Sequence, residues 1–128
     1  MSGVPTRWRS VFDDQIDTAS QRSAQADQHL AEGDGTRAMQ QAYPAVISAA
    51  TVQVWMAAPP WQVPLGADEL QRRVRERLPS LFAALTELDV QHALTSPWQG
   101  ADAEPYVREA ASFVSQTAEH YRQWVSEE

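Results

Sequence analysis

Arg22 and His29 form the pair of side chains whose types and spacing best fit acid–base chemistry. Six residues lie between them, so on a helix they stand two turns apart on the same face. An arginine can hold a phosphate while a histidine transfers a proton, as metal-independent RNA cleavage requires. The spacing also arises by chance in any arginine-bearing helix, and the simpler interpretation is a solvated helix edge.

The one basic cluster of the sequence contains four arginines: Arg72, Arg73, Arg75 and Arg77. Arg73 and Arg77 are four residues apart and share a helix face. Such a cluster can hold a phosphate or an acidic partner. The alternative is an amphipathic surface helix whose arginines pair with acidic neighbours, and exposed pairs of that kind contribute little to stability.

Tyr43 is a further binding candidate, because its hydroxyl can line a ligand pocket, although its Ala and Val neighbours favour core packing. Trp55, Trp61 and Trp98 can form an aromatic shelf for a ligand, but aromatic residues at such positions more often pack in the core. The chain has three histidines and no His-x-x-x-His spacing. We therefore predict no metal site and no cofactor.

Composition narrows the class of protein. Without cysteine, the chain has no disulfides, thiolate metal sites or cysteine nucleophiles. A net charge of −7 makes it a poor partner for duplex DNA, although a local basic patch can still bind RNA or a nucleotide. Residues 1–14 lack an apolar signal core, and no apolar run is long enough to span a bilayer. We expect a cytoplasmic protein that does not associate with membranes.

Apolar residues at steps of three and four predict a first helix from Thr6 to Glu32, which Gly33 then ends. A second helix is expected to run from Thr36, as its N-cap, to about Ala58. Its last turns are apolar on nearly all sides, which indicates a central, buried helix. Pro44 lies inside it and predicts a kink or a new start.

Three prolines in residues 58–66 predict a rigid loop, and Asp68 is the expected cap of a third helix. A fourth helix carries four apolar residues: Leu81, Phe82, Leu85 and Leu88. Residues 91–103 are expected to form a loop before a last helix that begins near Glu104 and Pro105, with the proline in its first turn. The prediction is an all-α, antiparallel up-and-down bundle of four or five helices, in one domain covering residues 1–128.

Trp55 and Trp124 are candidate interface residues. The second helix is more apolar than a small bundle easily covers, and Trp124 adjoins Val125, so one of these two must face away from the core. Exposed apolar patches usually mark interfaces, and symmetric homodimers are the commonest solution. In the alternative, Trp61 and Leu65 of the proline loop cover this surface and complete a monomer.

Three segments resemble the HEPN (higher-eukaryote and prokaryote nucleotide-binding) domain family: residues 24–34 with their Gly-Asp end, residues 37–50 with Ala42-Tyr43-Pro44-Ala45, and residues 103–124 with Ala110-Ala111-Ser112-Phe113-Val114. Pro44 stands where the family has a second Tyr. The resemblance implies an antiparallel helical bundle that commonly dimerises. The family contains metal-independent ribonucleases and non-catalytic members, some of which accompany small nucleotidyltransferases as toxin–antitoxin pairs.

The ribonucleases of this family carry an Arg-x4-6-His motif on a late helix. Here no arginine precedes His92 or His120 at that spacing. We therefore predict a non-catalytic, homodimeric interaction module whose partner is a small nucleotidyltransferase or another toxin–antitoxin component. The alternative is a divergent metal-independent ribonuclease that uses Arg22 and His29.

Overall fold

The computed structural model describes residues 3–86 and 90–127. Within these residues the secondary structure is all-helical, without a strand. The helices are α1 (Thr6–Ala31), α2 (Gly35–Ala57), α3 (Ala67–Glu76), α4 (Ser80–Thr86), α5 (Val90–Thr95) and α6 (Gly100–Glu127). The all-α prediction is confirmed, while the expected number of four or five helices is too low for the described residues.

The three long helices α1, α2 and α6 pack together, and their contacts show their directions. The backbone N–H of Trp98 donates to the Thr36 hydroxyl (2.9 Å), close to the start of both α2 and α6. Near the other end of the same helices, the Gln53 amide donates to the Thr117 hydroxyl (2.8 Å). Helix α6 therefore runs parallel to α2, so the predicted antiparallel up-and-down arrangement is wrong for these two neighbouring helices. The short helices α3–α5 carry the chain back from the end of α2 to the level of its start.

The junction of α1 and α2 depends on two residues. Gly33 has φ +79°, the left-handed conformation that glycine adopts most easily, and it ends α1 close to the predicted position. The Asp34 carboxylate accepts a hydrogen bond from the Arg37 N–H (3.0 Å) and is the N-cap of α2. The prediction of Thr36 as the cap is wrong, because its hydroxyl accepts the Trp98 N–H instead.

Helix α2 continues through Pro44, so the predicted new start there is wrong. The proline removes one backbone hydrogen bond. Ala42 and Ala45 on either side of it are fully buried, and packing against α1 and α6 keeps the segment helical despite that loss. A bend of the helix axis at Pro44 stays a prediction.

The predicted cap of α3 is also wrong. Gly66 is the N-cap, and Asp68 lies in the first turn together with Glu69. Carboxylates suit this position because the first turn of a helix carries the positive end of its dipole. Of the apolar residues that define the fourth helix, Leu88 falls outside the described residues.

Residues 91–103 are not a continuous loop. Helix α5 occupies Val90–Thr95, and α6 begins at Gly100, which places Pro105 in the second turn of α6 and not in its first. Trp98 anchors the connection, because its indole N–H donates to the Ala93 carbonyl (2.7 Å) and its backbone N–H donates to α2. The bond to α2 joins residues 62 positions apart and has no signature in the local sequence.

The core changes in character along the bundle. In the middle, Ala19, Ala45 and Ala49 are fully buried, and their small side chains let the three long helices approach closely. One end is filled by Phe12 and other aromatic residues, and the opposite end by Met39, Phe82 and mostly aliphatic neighbours. The last turns of α2 are buried as predicted, through Val52, Val54 and Met56.

Candidate functional site

Arg22 and His29 both lie half-buried on α1, and each has its own neighbour. The Arg22 guanidinium donates to the Gln41 side-chain oxygen (3.4 Å) on α2. His29 Nδ1 is buried, without a hydrogen-bond partner among the described residues, and lies 3.8 Å from a Glu32 carboxylate oxygen. The structure therefore directs Arg22 toward α2 and His29 toward the end of α1, not toward a shared ligand.

Half of the arginine cluster is neutralised within α3. Arg72 donates to Glu69 (Nε, 3.1 Å) and to Glu76 (Nη1, 2.6 Å), and Arg73 donates to Glu69 (2.9 Å). Hydrogen bonds first from Arg72 and then from Arg73 lower the pKa of Glu69 to about 2. Arg72 and Arg73 therefore form surface ion pairs with acidic neighbours, as the alternative interpretation of the cluster expected.

Arg75 and Arg77 differ from their neighbours. Within residues 3–86 and 90–127, neither has a carboxylate oxygen within 4.0 Å. They also face different surfaces. Arg77 lines a shallow cavity of about 310 Å³ together with Arg72 and Arg73, whereas Arg75 lines another cavity between α2 and α3. The four arginines therefore do not converge on one phosphate.

The cavity beside Arg75 and a second cavity that shares Leu70 with it are together named the α2–α3 furrow. The first part has a volume of about 300 Å³ and is lined by Tyr43, Ile47, Thr51, Leu70, Gln71, Val74 and Arg75. The second part has a volume of about 330 Å³ and is lined by Trp8, Trp55, Ala58, Pro60, Val63, Pro64, Leu65 and Leu70.

The floor of the α2–α3 furrow is a single line of residues on α2. Tyr43, Ile47, Thr51 and Trp55 recur at steps of four, and all four are half-buried. Residues at that spacing lie above one another on the same helix face. The spacing is visible in the sequence, but only the placement of α3 shows that this face borders a furrow and is not closed over by the core.

Tyr43 of α2 and Arg75 of α3 are two predicted binding residues from different helices that line the same cavity. Burial raises the pKa of Tyr43 above its ordinary value, and the Arg75 guanidinium partly opposes that shift. The Tyr43 ring also packs on the core, with its centre 6.4 Å from that of Phe82. Tyr43 therefore combines both predicted roles, since its ring contacts the core and the side chain lines the furrow.

Trp55 and Trp124 belong to an intramolecular aromatic cluster. Trp55 stacks on Phe12 with ring centres 5.4 Å apart, and Trp124 lies 5.6 Å from Phe12 and 6.4 Å from Trp61. Trp61 of the proline loop therefore packs onto the surface around Trp124 and Phe12, as expected in the alternative in which this loop covers the surface. Among the described residues, Val63 is the one large hydrophobic residue that is exposed, at 44%. The argument for a large uncovered apolar patch is therefore wrong, while the homodimer itself stays a prediction.

The predicted aromatic shelf does not assemble. Trp55 and Trp61 pack on the aromatic cluster, whereas Trp98 packs on the opposite end of the core, with its ring centre 5.2 Å from that of Tyr106. The indole nitrogen of Trp61 is buried and has no hydrogen-bond partner among the described residues.

In residues 3–86 and 90–127, no three His, Asp or Glu side chains are grouped closely enough to hold a metal ion. His92 and His120 are both exposed, on α5 and α6. None of the described helices combines the length and the apolar character that crossing a bilayer requires.

Comparisons of this chain with protein-family models, with curated proteins and with solved structures found no match. The HEPN resemblance therefore stays a hypothesis that rests on the sequence segments named above.

Proposed function

We propose that this protein is a non-catalytic interaction module of HEPN type, a helical bundle that forms a homodimer and binds a protein partner. The α2–α3 furrow is the observation that supports this proposal. It combines an apolar floor with one charged side chain, Arg75, at its edge. Protein interfaces have this composition, with an apolar centre and a polar rim. The resemblance points to a small nucleotidyltransferase as the partner.

The placement of Arg22 and His29 favours this function over the ribonuclease alternative. A general base has to reach the proton that it removes, directly or through one water molecule. His29 has one ring nitrogen buried, and the Arg22 guanidinium is engaged by Gln41 on another helix. The Arg22 guanidinium thus contacts α2, and the buried nitrogen of His29 lies beside Glu32 on α1 itself.

The homodimer rests on the HEPN resemblance, because the tryptophans that first indicated an interface pack within one chain. Trp55→Ala and Trp124→Ala are therefore expected to destabilise the fold without a specific loss of self-association. Light scattering of the purified chain at two concentrations tenfold apart measures the mass directly. A monomer at both concentrations would remove the homodimer from the proposal.

An RNA cleavage assay tests the non-catalytic part of the proposal. We expect the purified chain to leave single-stranded and structured RNA intact at the level of a buffer control. Cleavage that both Arg22→Ala and His29→Ala abolish would instead establish the ribonuclease alternative. Cleavage that survives both substitutions would indicate a contaminating nuclease and would require a cleaner preparation.

Co-expression tests the partner. A small nucleotidyltransferase encoded beside this chain in its own genome is expected to co-purify with it at a fixed ratio. The Leu70→Asp variant tests whether the furrow makes the contact, because it places a charge on a residue that lines both parts of the furrow. We expect this variant to co-purify less of the partner. Equal co-purification of the parent chain and of a correctly folded Leu70→Asp variant would place the contact on another surface.

A further inference from the structure

We infer that the α2–α3 furrow is a docking surface for one amphipathic helix of a protein partner, and that an acidic side chain of that helix pairs with Arg75. This inference rests on the proposed function, since it specifies the partner of an interaction module. It is carried by the shape of the furrow, by the chemistry of its lining and by the charge at its edge.

The shape of the furrow fits a helix. Its floor follows one line of α2 from Tyr43 to Trp55, and twelve residues of helix rise about 18 Å. That length corresponds to about three turns of a partner helix. Rows of side chains at steps of four on one helix pack into the grooves between such rows on another. Ile47 and Thr51 stand in the middle of this line.

The lining is suited to the apolar face of such a helix. Among the described residues, no aspartate or glutamate lines either part of the furrow, although the chain as a whole carries 17 acidic residues. Trp55 and Leu70 offer apolar surface along its length, and Val63 stands at the end formed by the proline loop. The burial of apolar surface of this kind is the main source of binding energy for helices that lie in grooves.

The charge at the edge selects an acidic partner. Arg75 is exposed, and it has no carboxylate oxygen within 4.0 Å among the described residues. Arg72 and Arg73 on the same helix already donate hydrogen bonds to Glu76 and Glu69, which neutralise their charges. A rim charge of this kind determines the choice and orientation of a partner more than its affinity.

The open form of the furrow favours a macromolecule over a small amphiphile. Sites for small ligands usually enclose most of the ligand surface. Here both parts lie along the outside of α2, and Arg75 is on the exposed edge. An apolar carboxylate would remain largely in water, whereas a partner helix would cover the furrow and keep its own polar face exposed.

Two synthetic 18-residue peptides test this inference on the full chain. Both carry leucines at steps of three and four, and they differ only in having glutamates or lysines beside the leucine stripe. Titration followed by tryptophan fluorescence and calorimetry gives each affinity. We expect the glutamate peptide to bind about two- to fivefold more tightly, which is the size of the effect of one exposed ion pair.

Charge reversal at Arg75 is the decisive variant. Arg75→Glu is expected to reverse the preference, so that the lysine peptide binds more tightly. Arg77→Glu is the matched control, because it removes the same charge from the same end of α3 but lies on another cavity. It is expected to leave the preference unchanged. Thr51→Trp, which fills the floor, should weaken both peptides.

Three results would overturn the inference. The first is the absence of saturable binding of either peptide at millimolar concentration. The second is an unchanged preference in Arg75→Glu. The third is displacement of the peptides by dodecanoate at lower concentration, which would assign the furrow to a small amphiphile.

The inference would also be overturned if Leu70→Asp or Thr51→Trp abolished self-association of the chain. The furrow would then be the contact surface for a second copy of the protein. A chain that binds neither peptide and leaves RNA intact would refute the docking surface alone. A chain that binds the glutamate peptide and cleaves RNA through Arg22 and His29 would refute the non-catalytic function alone.

Discussion

The two faces of α2 serve different purposes. On the side of α1 and α6, Ala45 and Ala49 are completely buried against Ala19 and Val114. On the side of α3, Tyr43 and Ile47 are only half-buried and border the α2–α3 furrow. One helix can thus fill the core with one face and leave a furrow along the other, because a single short helix covers that second side.

Helix α3 is attached less firmly than the long helices. Its ten residues include one buried residue, Val74, and its hydrogen-bonded ion pairs lie at the surface, exposed or only partly buried. Exposed pairs contribute little to stability. Segments with few buried contacts open more easily than the core. We therefore expect substitutions on the α1–α6 side of α2 to affect folding, and those on the α3 side to affect binding first.

The largest effect is expected for Phe12→Ala. Phe12 is fully buried, and its ring contacts Trp55, Trp61 and Trp124 among others. Removing a buried phenylalanine ring costs about 3–5 kcal/mol of unfolding free energy. Urea unfolding measures this loss, with Leu70→Ala on the furrow side as the control. An equal loss in both variants would contradict the difference between the two faces.

Gly35→Ala is expected to have the next largest effect. A Cβ atom at Gly35 would stand 2.6 Å from the Trp98 carbonyl oxygen and 2.7 Å from that of Gln99, so the backbone of the segment before α6 would have to move. Overpacking of this kind costs about 1–3 kcal/mol.

Gly100→Ala is its matched control, because a Cβ there meets no atom within 4 Å and Gly100 also begins a helix. We expect that variant to be as stable as the parent chain or more stable. Thermal unfolding of both variants makes the comparison. Equal melting temperatures would show that the contact between α2 and residues 98–99 is not tight in solution.

A smaller effect is expected at Tyr121, whose hydroxyl donates to an Asp13 carboxylate oxygen (2.7 Å) and ties α6 to α1. Tyr121→Phe should lower stability by about 1 kcal/mol at neutral pH. Burial, followed by the hydrogen bond to Asp13, raises the pKa of Tyr121 above its ordinary value of 10.0.

The unfolded chain therefore loses the Tyr121 proton at a lower pH than the folded protein. The stability that Tyr121 contributes is complete below about pH 10 and falls as the pH rises further. Urea unfolding between pH 8 and about pH 11 should show a shallower decline in Tyr121→Phe than in the parent. If the unfolding free energies of the parent and of Tyr121→Phe fell equally steeply with pH, ionisation of Tyr121 would not be the cause of the decline.

The smallest effect is expected for Glu69→Gln, since Glu69 and its arginines are exposed. The hydrogen bonds from Arg72 and Arg73 hold the pKa of Glu69 at about 2, so the contribution of this carboxylate is present above its ordinary pKa and is lost as the pH falls toward 2. A carboxyl titration by NMR should show the low pKa, and high salt should raise it. A normal pKa at low salt would mean that these pairs do not persist in solution.

Much of the fold can be read from local pattern, and the errors have a common physical origin. The steps of three and four predicted α1 to within a residue, and the apolar last turns of α2 predicted its burial. Three of the wrong expectations concern Thr36, Pro44 and residues 91–103. Contacts with distant segments act at these places: Trp98 bonds to Thr36, 62 positions away, and α1 and α6 pack on the helix that contains Pro44.

The sequence by itself determined the helical class, since apolar periodicity expresses which face of each segment leaves water. It also contained two of the candidate binding residues, Tyr43 and Arg75, which lie 32 positions apart in the chain. Only the tertiary structure decided that these two share a furrow, that Arg72 and Arg73 are paired, and that Trp55 is covered by Trp8 and Phe12. Periodicity shows that a face is apolar, but the chain segment that packs on it is chosen by contacts far apart in the sequence.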